Sequence, residues 1–127
     1  PLNKNIKHIL KLLNENGINY FIVFDVHRFY NNFYKKYSQE IITDMIIQIL
    51  KFCAEFDLKI VLHLIDSTSF SSNRTFWTPV FEGVTPFSRI FNFIINRKIN
   101  IESIILEYES EKHILPSLNN LKNYLKN

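Results

Sequence analysis

The chain has one cysteine, two glycines, one methionine and one tryptophan in 127 residues. A lone thiol, Cys53, can neither close an internal disulfide nor build a thiolate zinc site. Covalent staples and zinc-finger architectures are therefore excluded, and a hydrophobic core must hold the fold. No run approaches the roughly 18 apolar residues of a membrane span. The stretch Pro1-Leu2-Asn3-Lys4-Asn5-Ile6-Lys7 lacks the uncharged apolar core of a signal peptide. The expectation is an intracellular protein of a reducing compartment with no membrane partner.

Apolar residues make up 46% of the chain and charged residues 21%, and the mean hydropathy is -0.05. These values describe a globular chain rather than a disordered one. The length suits one α/β domain over 1–127 and is too short for two. Ile, Asn, Phe, Lys and Tyr together supply about half of the residues, a bias typical of A/T-rich coding. The same bias produces a net charge of +3, which permits an anionic partner without identifying one.

Leu2, Ile6, Ile9, Leu10 and Leu13 recur at helical spacing, and Asn16-Gly17 supplies a stop. Ile18 to Val26 is a nearly continuous apolar run, the pattern of a strand buried on both faces. An aromatic and basic stretch follows from His27 to Tyr37. A helix then begins near Ser38, with Ile42, Met45, Ile46, Ile49, Leu50 and Cys53 as its stripe. Lys59 to Asp66 reads as a second buried strand, and Ser67 to Gly83 as a long polar and aromatic loop. Thr85-Pro86 looks like an N-cap with proline at the first helical position, opening a helix through Phe87, Ile90, Phe91 and Ile94. Ile101 to Tyr108 is the third strand, and Leu118, Leu121, Tyr124 and Leu125 mark a closing helix. The order α-β-α-β-α-β-α predicts parallel strands, because each crossover lays a helix on a sheet face.

Asp25, Asp66 and Glu107 end the three predicted strands at equal steps of 41 residues. Parallel strands bring their carboxyl ends to one edge, where α/β folds place their sites. A carboxylate just past a strand also serves as a solvated residue or as the cap of the next helix. His63 lies three residues before Asp66 and His27 two after Asp25. An imidazole among carboxylates is the donor set of an N/O site for zinc, manganese or iron. The candidate ligands are Asp25, His63 and Glu107, with His27 and Asp66 as weaker members. A bound cation also offsets the repulsion among buried acids.

These residues resemble the endonuclease IV type of apurinic/apyrimidinic endonucleases, within the xylose-isomerase-like barrels. Phe21-Ile22-Val23-Phe24-Asp25-Val26-His27 resembles the family's strand ending in Asp-Thr-x-His. His63-Leu64-Ile65-Asp66-Ser67 is similar to its His-Leu-Asn-Asp-Ser, and Ile104-Ile105-Leu106-Glu107 to its Ile-Leu-Glu-Thr. Trp77 to Gly83 with the helix after it resembles the segment that runs from the family's Asp-Arg-His into a helix. The resemblance implies the last three βα units of a TIM barrel with zinc ligands at its carboxyl end, in enzymes that cut DNA at abasic sites. Carried over by position, Asp25, His63 and Glu107 match metal ligands. His27 is one residue out of place, and the Asp-x-His pair has no counterpart in Asn73-Arg74-Thr75-Phe76-Trp77. A barrel needs eight strands and about 250 residues.

The resemblance therefore implies a catalytically impaired relative acting as a structural or interaction subunit of a larger assembly. Another chain, a copy or a different subunit, would complete or cover its sheet. The alternative is an active metal-dependent phosphodiesterase of the same kind, or a PIN or flap-endonuclease-like nuclease with strand-end acids on a divalent ion. Arg28, Lys35, Lys36, Arg74 and Trp77 are the candidate nucleic-acid contacts, because cations interleaved with aromatics track phosphates and stack on bases. The bland reading of these aromatics packs them on the core, and Trp77 then plugs the sheet edge.

Overall fold

The computed structural model describes residues 2–71 and 76–126. Helix α1 (Leu2–Glu15) precedes strand β1 (Ile22–Asp25), which runs directly into α2 (Val26–Phe33). Helix α3 (Gln39–Glu55) leads to β2 (Ile60–Leu64), and a short antiparallel hairpin with two residues in each strand, β3 (Asp66–Ser67) and β4 (Trp77–Thr78), comes next. Helix α4 (Phe87–Asn96), strand β5 (Ile101–Leu106), a 3₁₀ turn (Glu111–His113) and α5 (Ile114–Lys126) complete the order. Strands β1, β2 and β5 form one parallel sheet with β2 at its centre. None of the described helices is long and apolar enough to cross a membrane.

The stripes of α3 and α4 read from the sequence are buried as expected, whereas Ile9 of α1 and Leu118 and Leu125 of α5 are exposed. Ile42, Ile46, Leu50 and Cys53 of α3 meet Phe87, Ile90, Phe91 and Ile94 of α4 in one core with Ile60, Leu62 and Leu64 of β2. Alternation along β2 sends Val61 and His63 to the opposite face. That face carries Val23, Val61 and Ser103 in one row and Asp25, His63 and Ile105 in the next. Val23 is 51% exposed and Ile105 44% exposed, so the expectation of strands buried on both faces holds for β2 and fails for β1 and β5. The helices cover one side of the sheet, and no described element covers the other around those two residues.

Strand β1 is shorter than its apolar run. Pairing with β2 starts at Ile22, whose N–H donates to Lys59, and ends at Asp25, which caps α2. The aromatic and basic stretch from His27 to Tyr37 is thus helical as far as Phe33. Strand β5 stops at Leu106 rather than Tyr108. At the start of α4 the cap position falls on Pro86, not Thr85, and no side chain caps it. The Thr85 N–H is instead taken by Asp66, at 3.1 Å.

Three helices end alike. Gly17, Asp57 and Lys98 adopt positive φ of 63°, 50° and 51°. In each case the next N–H reaches back five residues: Ile18 to Leu13, Leu58 to Cys53, Ile99 to Ile94. This left-handed closure satisfies helix-end carbonyls and releases the chain towards the next strand.

Candidate metal centre at the carboxyl edge of the sheet

Strand register builds the centre. Asp25 stands opposite His63 across the β1–β2 ladder, and His63 stands opposite Ile105 across β2–β5. A one-residue shift between Ile60 and Val61 sets the second pairing. That bulge reverses which β5 side chains face each side. It places Ile105, and with it Glu107 two residues on, on the face of His63. The ladder continues to Glu107, whose N–H donates to Leu64 at 3.0 Å.

One ligand atom each from Asp25, His63 and Glu107 lies within 4.8 Å of the other two. His63 Nδ1 is 2.7 Å from a Glu107 carboxylate oxygen. Asp25 Oδ1 accepts the Arg28 N–H at 3.0 Å, and its Oδ2 lies 3.7 Å from the Arg28 guanidinium. All three side chains are partly accessible, so a ligand can reach them from solvent. One imidazole and two carboxylates fit zinc, manganese or ferrous iron, and binding at about 2.0–2.2 Å would draw the three atoms closer together.

The two weaker candidates stand elsewhere. Asp66 is 0% exposed. Its carboxylate accepts the N–H groups of Ser67 at 2.9 Å, Gly83 at 2.9 Å and Thr85 at 3.1 Å. Those bonds turn the chain from the hairpin into α4, and Asp66 is outside the ligand cluster. It is a structural anion satisfied by the backbone. A Cβ at Gly83 would meet Ser67 and Asp66 atoms at 2.3–2.5 Å, so glycine is required there by close approach.

His27 lies in the first turn of α2 and is likewise outside the cluster. Because the backbone turns at Val26, strand alternation no longer applies to it. The Ser67 hydroxyl donates to Ser69 at 2.8 Å. Its oxygen lies 2.7 Å from His27 Nε2, so the ring carries its proton there. Burial lowers the pKa of His27, against the pull of Asp66 and then Asp25.

Asp25, Glu107, His27, Arg28, Asn31, Ile65 and Trp77 line one cleft of about 270 Å³. Arg28 is exposed and Trp77 half exposed, its ring edge-on to His27 at 5.6 Å between centroids. Lys35 and Lys36 border a neighbouring cleft of about 340 Å³ with Asn31, Asn32, Tyr34 and Phe70. Arg74, the remaining candidate contact, lies outside the described residues. Sequence reading missed Ser67, Asn31, Gly83 and Tyr108. Gly83, one of two glycines and near the end of a long loop, was the only one of the four with a visible signal. Comparison with family models, with curated proteins and with solved structures gives no match for this chain.

Proposed function

We propose that Asp25, His63 and Glu107 hold one divalent ion, zinc or manganese, and that the chain is a reduced relative of the endonuclease IV type acting on phosphodiesters. The observation that carries this reading is the convergence of the three donor atoms within 4.8 Å at the strand ends. Asp25 and Glu107 supply the negative charge, and His63 the neutral donor. Such an ion, when bound, activates a coordinated water and polarises a phosphoryl oxygen. Arg28 stands beside Asp25 to offset charge on the phosphate. Only one ligand group is assembled among the described residues, so hydrolysis would be slow compared with a trinuclear enzyme.

The finer fold belongs to the same proposal. Parallel order β1-β2-β5, helices on one side and ligands at the carboxyl ends support reading the chain as three consecutive βα units of a TIM barrel. Its uncovered face would then be the barrel interior. That face also favours a second reading, an interaction subunit whose sheet another chain completes, because all-parallel sheets are normally covered on both sides.

Metal titration tests the proposal. Calorimetry with Zn²⁺ and Mn²⁺ should give one site per chain, lost in Glu107→Gln combined with His63→Ala. Assays on an abasic-site duplex and a small aryl phosphodiester should show weak hydrolysis abolished by the same pair. Failure of the folded protein to bind either ion rejects the metal reading; stoichiometric metal without hydrolysis leaves the interaction subunit.

A further inference from the structure

Helix α2 carries a polar track away from the metal centre. Arg28, Asn31 and Asn32 lie at i, i+3 and i+4, one face of the helix, and are all exposed. Lys35 and Lys36 follow in the turn that ends it and are exposed as well. The cleft at the metal centre and the cleft at the lysines share Asn31 as a lining residue, so they lie side by side along α2. Aromatic rings stand along both. Trp77, 48% exposed, borders the first cleft. Phe70 and Tyr34 border the second, with the Lys35 ammonium 5.8 Å from the Tyr34 ring.

We propose that this track binds an unpaired nucleic-acid strand, with one phosphodiester against Arg28 and a base stacked on Trp77. Cations follow a phosphate backbone, and aromatic faces accept any base that is not paired. A duplex hides its base faces, so it offers Trp77 nothing to stack on. Charge supports a phosphodiester rather than a phosphate monoester. With a divalent cation bound, Asp25 and Glu107 would cancel its charge and Arg28 would leave one positive charge for one diester anion. The inference rests on the phosphodiester reading for the strand's end at the metal centre, but the binding it describes does not need the ion.

Fluorescence anisotropy with a labelled oligothymidylate, in EDTA at several salt concentrations, tests it. Trp77 is the only tryptophan, so its emission reports stacking directly. Expected are quenching on binding and a salt slope that falls by about one for each of Arg28→Ala and Lys35→Ala. Trp77→Ala should weaken binding by roughly tenfold without changing the slope, and Trp77→Phe should restore part of it. A hairpin duplex and polyglutamate should bind more weakly than the single strand. Equal binding of the duplex or polyglutamate, unchanged Trp77 emission, or indifference to Arg28→Ala and Lys35→Ala would each overturn the proposal, with circular dichroism confirming that the variants fold. Added Mn²⁺ should tighten binding in the parent chain, by removing repulsion from Asp25 and Glu107, and not in Glu107→Gln with His63→Ala. Strand binding without that tightening supports the track and counts against the metal centre alone.

Discussion

The phenol of Tyr108 donates to the Thr78 carbonyl at 2.6 Å, thirty residues back in the chain. The same oxygen accepts the Asp66 N–H at 3.1 Å. One side chain just beyond β5 therefore holds both strands of the β3–β4 hairpin, and that hairpin carries Ser67 and Trp77 to His27.

Tyr108→Phe keeps the ring and removes both bonds. Stability should fall by roughly 1–3 kcal/mol, since two partly buried backbone groups lose a partner. Urea unfolding gives the total. Hydrogen exchange should localise the loss to the N–H groups of Asp66 and its neighbours in the hairpin, leaving the α3 amides comparatively protected.

Asp66→Asn should cost roughly 2–3 kcal/mol, because an amide offers one acceptor oxygen where the carboxylate serves three N–H donors. Metal affinity of the folded variant should stay near that of the parent, in contrast to Glu107→Gln. Calorimetry at a temperature where both variants are folded makes the comparison. A large loss of metal in Asp66→Asn would show that Asp66 is a ligand after all.

Asp57 and Lys98 occupy left-handed positions that glycine adopts without steric cost. Lys98→Gly should raise stability by about 0.5–1 kcal/mol, net of the greater freedom of glycine in the unfolded chain. Asp57→Gly should act in the same direction. The same change at Lys112, which lies in the 3₁₀ turn, should not stabilise; thermal unfolding of the three variants provides the check.

Alkaline pH should destabilise the fold through one buried phenol, Tyr30, and one half-buried, Tyr108. Burial raises the pKa of Tyr30, the Thr43 hydrogen bond and Arg89 opposing and Asp44 adding slightly. Burial likewise raises Tyr108, opposed by Ser117 and the Asp66 backbone. The folded state therefore holds protons that the unfolded state releases above about pH 10. Their contribution is complete below that value and is lost as pH rises through the higher folded values. Phenolate absorbance should show two of the six tyrosines ionising late, and urea midpoints should fall over the same range.

Periodicity made the helices at Leu2–Glu15, Gln39–Glu55 and Phe87–Asn96 legible, because a 3.6-residue apolar repeat is a local property. The central strand was legible for the same reason, since Ile60, Val61, Leu62 and Leu64 are apolar on both faces. Helix α2 was hidden: it carries a regular stripe, Val26, Phe29, Tyr30 and Phe33, but it spans only eight residues, and its cap, Asp25, looked like a strand end. The closures at Asp57 and Lys98 were hidden too, since neither residue type announces a left-handed turn.

By itself the sequence determined that three βα units alternate and that acidic residues stand at or just past the strand ends, for both follow from spacing along the chain. Only the tertiary structure decided which acids meet. Asp25 and Glu107 reach His63 through strand register and one bulge. Asp66, at the same 41-residue spacing, is drawn inward by three backbone donors. Register and hydrogen-bond demand arise between segments distant in sequence, so equal spacing could not separate a ligand from a structural anion.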